Sequence, residues 1–269
     1  MDYASLPKFK SPPVIETVLS VQFTPLDALV TSELGRFWDT IRPRYPTFEI
    51  MPPLPSMSEQ FGTETSPSST VMELTSEAHV RCWFVSDDKR SLIQLQSDRL
   101  IHNWRRIASE DQYPQYTTIR PKFETEWRTF CEFLRQSDLG EPEVNQCEVT
   151  YVNHIEVEYA DGRRLDIRQV SPLLARNTES GFLPSPSVLQ WSAVYEMTGK
   201  LGRLHVSFKP ALRRSDGKRL VILELTARGA PNGSSLANVL DWFDLGHAWV
   251  VRGFKDLTSR ELHTLWGEM

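Results

Sequence analysis

Residues 203–228 read RLHVSFKPALRRSDGKRLVILELTAR, and their patterning decides the fold class. Two runs that alternate apolar and polar flank Asp216-Gly217, a dipeptide suited to two-residue hairpin turns because both residues tolerate positive φ. Centring the turn there sets Val206 opposite Ala227 and Phe208 opposite Leu225. The same register sets Lys209 opposite Glu224, Ser207 opposite Thr226 and His205 opposite Arg228. One face is apolar and the other polar, whereas a slip of one residue would mix them. This is an antiparallel sheet with one packed face and one wet face.

Working outward, Val188 to Met197 is a third strand of the same unit. A long helix follows, about Ser235 to Phe254. Leu236, Val239, Leu240, Phe243, Val250 and Phe254 form one apolar stripe, and Trp242, Leu245 and Trp249 a second, so the helix is expected between two packed layers. Thr258 with Glu261 fits a capping box for a short final helix. Residues 160–187, with Pro172, Gly181, Pro184 and Pro186, read as a connector.

The N-terminal side gives a longer series. Val14 to Phe23 has the β-branched weight of a strand, and Pro12-Pro13 blocks a helix before it. A helix is expected over Asp27–Arg44, from apolar residues at three- and four-residue steps. Residues 46–70 are rich in Pro, Ser and Thr and read as a long loop, a kind that is usually functional or mobile. Strands over Val71–Val85 and Ser91–Arg105 follow, joined at Ser86–Lys89. A helix over Thr117–Gln136 accommodates Pro121 only near its first turn, and a strand runs from Gln146 to Tyr159. The order β-α-β-β-α-β matches a ferredoxin-like plan. The chain is therefore expected to be α+β. A ferredoxin-like half at 1–159 and a β-β-β-α half at 188–269 would each pair an antiparallel sheet with helices, together forming one compact unit.

The bulk composition narrows the classes. Of 269 residues, 40% are hydrophobic and 24% charged, which excludes a disordered or membrane-embedded chain. No apolar run is long enough to span a bilayer, and the polar N-terminus lacks a signal core. Cys82, Cys131 and Cys147 share no metal-type spacing, so they read as reduced thiols of a cytoplasmic protein with no metal or cofactor. The net charge of −5 gives no global pull toward nucleic acid, which stays a less favoured partner than a protein or peptide.

The familiar catalytic and nucleotide-binding signatures are missing: no G-x-x-x-x-G-K-[ST], G-x-G-x-x-G, H-E-x-x-H or G-x-S-x-G occurs. Four groups of residues still carry chemistry. Asp98-Arg99-Leu-Ile-His-Asn103-Trp-Arg105-Arg106 offers guanidinium groups for phosphate, with Arg99, Asn103 and Arg105 on one strand face; the alternative is a solvated charged face. Asn153 shares a face with Tyr151 and so is buried and in need of partners, while His154 points away among acidic residues. Asp244 and His247 are three apart on a helix and can meet as an acid/base dyad, or simply satisfy a buried ring. His205, Lys209 and Arg228 lie on the polar face of the hairpin, which is either an ordinary wet face or the lining of a groove.

Pro12-Pro-Val-Ile-Glu16, Gln94 with Asp98-Arg99 and Asn103-Trp104, Tyr151-x-Asn153-His154, and the ending from Asp244-x-x-His247 to Phe254 and Trp266 together resemble one family. It is a sporadically distributed prokaryotic family of similar length with no established activity. The resemblance covers nearly the whole chain. It implies no substrate and no catalytic residue, and its patchy distribution is typical of accessory genes, including toxin–antitoxin and phage-defence systems.

Three functions fit these observations. The first is a non-enzymatic binding protein that holds a protein, peptide or small ligand on a sheet face or in a cleft. The second is an enzyme acting on a phosphate-bearing or nucleic-acid substrate, with Arg99, Asn103 and Arg105 converging on His154 or on Asp244 and His247. The third is a carrier that grips an apolar ligand between a curved sheet and the C-terminal helix.

Overall fold

The hairpin forms as β8 (Arg203–Leu212) and β9 (Arg219–Gly229) in the computed structural model, which describes residues 6–57, 59, 80–157, 165, 167–171 and 188–269. Its register differs from the expected one. Val206 opposes Leu225, Phe208 opposes Leu223, Ser207 opposes Glu224 and His205 opposes Thr226. The reason is a longer turn: the Arg213 N–H donates to Lys218 O at 2.9 Å and the Gly217 N–H to Arg213 O at 2.8 Å. Gly217, at φ +69°, takes the left-handed position that a side chain would disfavour. Every pair is displaced by two residues, so the apolar and polar faces survive unchanged.

The strands on both sides of the connector join one sheet rather than two. It has nine strands in the order β2 (Thr47–Met51), β3 (Arg81–Val85), β4 (Ser91–Gln96), β5 (Arg99–Arg105), β1 (Val14–Phe23), β6 (Val144–Glu156), β9, β8 and β7 (Trp191–Glu196), all paired antiparallel. At its centre, β1 (Val14–Phe23) lies between β5 (Arg99–Arg105) and β6 (Val144–Glu156). The seam between the two expected halves is β6 against β9, continuous from Cys147–Gly229 to Glu156–Leu220. A ladder of that length joins the two expected sheet-and-helix halves into one sheet, a pairing the sequence left open.

Several boundaries also move. The expected strand over Ser91–Arg105 is two, β4 (Ser91–Gln96) and β5, folded back at Ser97-Asp98 so that Gln96 opposes Arg99. The expected loop 46–70 begins with an edge strand, β2 (Thr47–Met51), paired to β3 (Arg81–Val85). The part of the expected strand before Val80, residues 158–159, and most of the connector lie outside the described residues. β7 (Trp191–Glu196) is the other edge strand.

Helices α1 (Thr31–Ile41), α2 (Tyr116–Gln136) and α4 (Leu236–Leu257) pack on one face. The sequence dictates this, because Leu34, Phe37 and Ile41 of α1, and Ile119, Phe123, Phe130 and Leu134 of α2, recur at helical spacing and are all buried. They meet Leu19, Val21 and Phe23 of β1, whose intervening residues point the other way. Aromatic rings join the layers: Phe37 lies 5.9 Å from Phe84 and 5.5 Å from Phe130, and Phe123 lies 4.8 Å from Phe243. Burying each such phenylalanine contributes about 1.5–3 kcal/mol. Pro121 is the sixth residue of α2, just past its first turn.

α4 crosses β6 and β9 at close range. A Cβ on Gly246 would lie 3.0 Å from Val149 Cγ2 and 3.0 Å from the Trp242 ring, so a bare backbone at that point sets the helix–sheet spacing. Ser235 caps the helix by accepting from the Asn238 N–H at 3.2 Å. The single-turn helix α3 (Ile167–Val170) precedes α5 (Arg260–Leu265) in the chain. The cap of α5 is Ser259, which accepts from the Leu262 N–H, rather than the expected Thr258. The Thr258 hydroxyl instead donates to Phe254 O at 2.6 Å.

Candidate functional site

Directly opposed residues in an antiparallel sheet share a face, so the registers sort every strand residue. Glu16, Ser20 and Gln22 of β1 oppose Arg105, Ile101 and Arg99 of β5 and Val152, Glu148 and Gln146 of β6. Glu148 and Thr150 oppose Arg228 and Thr226, which in turn oppose Arg203 and His205. The face turned away from the helices is therefore polar from β3 to β8. All six residues expected to bind, Arg99, Asn103, Arg105, His205, Lys209 and Arg228, lie on it.

Their roles differ. Asn103, 3% exposed, has its amide used on both sides: Gln94 Nε2 donates to its Oδ1 at 2.8 Å, and its Nδ2 donates to Glu16 Oε1 at 2.7 Å. Burial pushes the Glu16 carboxyl above its ordinary range, with the Asn103 hydrogen bond and the Arg105 charge opposing. Arg105 spreads over the Trp83 ring, 5.8 Å from its centroid. Lys209 is exposed farther along β8. Arg99, His205 and Arg228 have a different kind of partner.

That partner is the chain's own segment 52–57 together with Glu59, which lies across the polar face. Its backbone is held by side chains of the sheet. Gln96 accepts from the Leu54 N–H at 3.0 Å and donates to Leu54 O at 3.1 Å. Gln146 donates to Met57 O at 2.7 Å and accepts from the Glu59 N–H at 3.1 Å. Gln22 accepts from the Met57 N–H at 3.3 Å, and Arg99 donates to Pro55 O at 3.0 Å and to Gln22 at 2.5 Å. A carboxamide carries the same donor and acceptor as a peptide group, so these glutamines pair with a strap much as a neighbouring strand would.

The strap ends on a carboxylate. Arg203 and Arg228 oppose each other across β8 and β9, a like-charge pair that is unfavourable alone. Glu59 bridges them: its Oε2 lies 2.8 Å from Arg203 Nη1, and its Oε1 lies 3.6 Å from Arg228 Nη1 and 2.5 Å from His205 Nε2. Glu148 takes the Arg228 Nε–H at 3.0 Å. The Glu59 side chain is only 8% exposed. Burial alone would raise its pKa, but hydrogen bonds from His205 and Arg203 and the charge of Arg228 override that and hold it at about 2.

Of the other expected residues, Asp244 and His247 lie on the opposite side of the sheet, while His154 shares the face of Lys209 by register. Asp244 and His247 line a cavity on the helix-covered face and do not bond to each other. Asp244 accepts from the Tyr116 hydroxyl at 2.8 Å and pairs with Arg120 at 2.8 Å, whereas His247 Nδ1 meets the Tyr151 hydroxyl at 3.0 Å. The expected dyad is thus two separate contacts, because Tyr116 is stacked on His247 at 3.9 Å and reaches the carboxylate itself. His154 is half-buried beside Arg106 and Glu156 in a smaller cleft, its pKa lowered by burial and by the charges of Arg213 and Arg106. Arg99, Asn103 and Arg105 are separated from Asp244 and His247 by the sheet, so a phosphate site joining those two sets does not assemble.

Glu59, Gln22, Gln96 and Gln146 were not expected as site residues. Glutamine has no chemical signature, but three glutamines at strand positions sharing parity with Arg99 and Glu148 are a usable signal. Burial pushes the Cys82 and Cys131 thiols up to about 11 and lifts Cys147 well above its ordinary value, so all three free cysteines are poor nucleophiles. Among the described residues no group of three or more His, Cys, Asp and Glu could hold a metal ion, and no helix is long and apolar enough to cross a membrane. No protein-family model matches the chain, and no curated protein matches it either, so its function has to be argued from this geometry.

Proposed function

We propose that this protein is a binding module that holds an extended polypeptide across the polar face of its sheet, and that segment 52–57 with Glu59 is a resident stand-in for that polypeptide. The observation that carries the reading is the paired use of Gln96 and Gln146, each giving and taking a backbone hydrogen bond with the strap. Such contacts recognise any extended backbone, and the Arg203–His205–Arg228 cluster adds a demand for one carboxylate at a fixed distance. The class of partner is therefore an acidic, extended protein segment.

A nucleic acid fits less well. The arginines of the face are interleaved with Glu16, Glu148 and Glu224, and Arg81 and Arg99 are tied to Gln94 and Gln22. A phosphate backbone needs a run of unneutralised cations. Membership of an accessory, defence-type system rests on the family resemblance alone.

The test uses a fluorescein-labelled peptide with the sequence of residues 51–60 and the full-length Glu59→Lys variant, whose own strap is repelled by the arginines. The variant is expected to bind the peptide saturably and roughly tenfold or more tighter than the wild type, which carries the competitor in cis. Gln146→Ala in the same background should weaken binding. Absence of saturable binding, or displacement of the peptide by single-stranded DNA, would overturn the proposal.

A further inference from the structure

The helix-covered face holds a cavity of ≈ 760 Å³ that the polypeptide reading does not use. It lies between the start of α2, the middle of α4 and the chain leading into β1. Its size is that of sites that take small organic ligands, not a packing defect. Val14, Val250, Val251 and Phe254 supply apolar wall. The polar groups it presents are few and specific.

A hydrogen-bonded row runs along one side. The Tyr113 and Tyr151 hydroxyls are 2.6 Å apart, and Tyr151 meets His247 Nδ1 at 3.0 Å. Burial lowers the His247 pKa to about 3, so the ring is neutral. Tyr116 lies flat on that ring, the planes 7° apart, which makes an aromatic shelf. At the mouth Arg120 and Asp244 neutralise each other at 2.8 Å.

Asn153 is the informative residue. It lines the cavity and is fully buried. Its Nδ2 donates to Leu223 O at 3.0 Å, which fixes the amide orientation. Its Oδ1 then has no hydrogen-bond partner. Buried amide oxygens are rarely left that way. The site thus has one acceptor waiting, an aromatic shelf and a paired charge at its mouth.

We propose that this cavity is a second binding site, for a neutral aromatic small molecule that carries an N–H or O–H donor, which Asn153 Oδ1 accepts while the ring packs against Tyr116, His247 and the valines of α4. An anionic ligand is disfavoured because Arg120 is already neutralised by Asp244. An aliphatic chain would leave the Asn153 oxygen unpaired.

Two probes of nearly the same shape test it: indole, which has the donor, and 1-methylindole, which lacks it. Each is titrated into the full-length protein by calorimetry and by saturation-transfer NMR. Indole is expected to bind saturably with one-to-one stoichiometry and 1-methylindole roughly tenfold or more weakly, the ratio one good hydrogen bond sets. Val251→Trp, which fills the cavity from a half-buried position, should abolish indole binding with an unchanged circular dichroism spectrum. Should that variant misfold, the indole to 1-methylindole ratio in the wild type decides the matter alone. Equal affinities overturn the donor requirement, and no saturable indole binding up to millimolar concentration overturns the site. Glu59→Lys should bind indole as the wild type does, so this result stands or falls apart from the polypeptide-binding face.

Discussion

Replacing Glu59 by Gln removes one charge and little volume, and its effect can be worked from the structure. The carboxyl falls from an ordinary 4.5 to about 2 when the strap is docked. With the side chain almost wholly buried, that difference corresponds to about 2–3 kcal/mol in favour of docking at neutral pH. A carboxylate lowered in this way contributes its full stabilisation above its undocked pKa and loses it as pH falls from 4.5 toward 2. Glu59→Gln should therefore shift the docked-to-free ratio by about 30- to 150-fold at pH 7, with the effect shrinking below pH 4.5 and gone below about pH 2. The assay is amide hydrogen exchange at Leu54, Met57 and Glu59, whose N–H groups are held by Gln96, Gln22 and Gln146. In the variant these amides are expected to exchange faster by that factor while those of β1 and β6 do not change. Unchanged exchange at the strap amides would refute the reasoning, since it would mean that the glutamines hold the segment without the charge. Acceleration throughout the sheet would refute it as well, since the strap would then be part of the global fold.

Three further outcomes follow from the packing. His102 is completely buried, with neither ring nitrogen hydrogen-bonded, and burial, aided by the Lys122 charge, takes its pKa to about 3. Unfolding lets it take up a proton below pH 6.5, so His102→Leu should flatten the loss of stability between pH 6.5 and 3 by up to one proton, read from urea midpoints across that range. Arg44 holds the buried Glu126 with bonds of 2.8 and 3.0 Å, so Arg44→Met should cost about 1–3 kcal/mol; Arg44→Met with Glu126→Leu should recover most of it, as a double-mutant cycle in urea will show. Gly246→Val should destabilise by about 1–3 kcal/mol by pushing α4 off Val149, measured as a lower Tm.

What could be read from the chain alone depended on period and parity. Alternation placed Arg99, Asn103, Arg105, His205 and Arg228 correctly on polar faces, because parity along a strand does not depend on knowing its partner. It also made the hairpin error harmless: a turn with Arg213 and Lys218 closing it moves the register by two and leaves each face as it was. The reversal at Ser97-Asp98 escaped because no Gly or Pro marks it and the residues on both sides continue one pattern. β2 escaped because Pro46, Pro52 and Pro53 surround it. That the halves share a sheet is a fact about β6 meeting β9, some seventy residues later in the chain, and local patterning has no term for such a pairing. Glu59 was invisible for a related reason, since its partners at 203, 205 and 228 are distant in sequence and a lone acid in a Pro/Ser/Thr stretch looks like any other.

β6 serves two masters. Its even-numbered residues Gln146 and Glu148 belong to the strap face, and its odd-numbered residues Tyr151 and Asn153 to the cavity. Inserting or deleting a single residue in the middle of this strand would exchange the two sets from that point on, turning Tyr151 and Asn153 to the polar face and Val152 to the cavity. In the descent of this protein, changes in the length of β6 should accordingly come in steps of two, or be absorbed at once by a compensating bulge. The neighbouring strand already contains such a device: the register of β1 against β6 jumps between Val14 and Glu16, so that Val14 lies opposite Asn153 while Glu16 lies opposite Val152. Mutational lineages of this chain can drift freely in side-chain identity along β6, but an odd change in its length would cost both sites together.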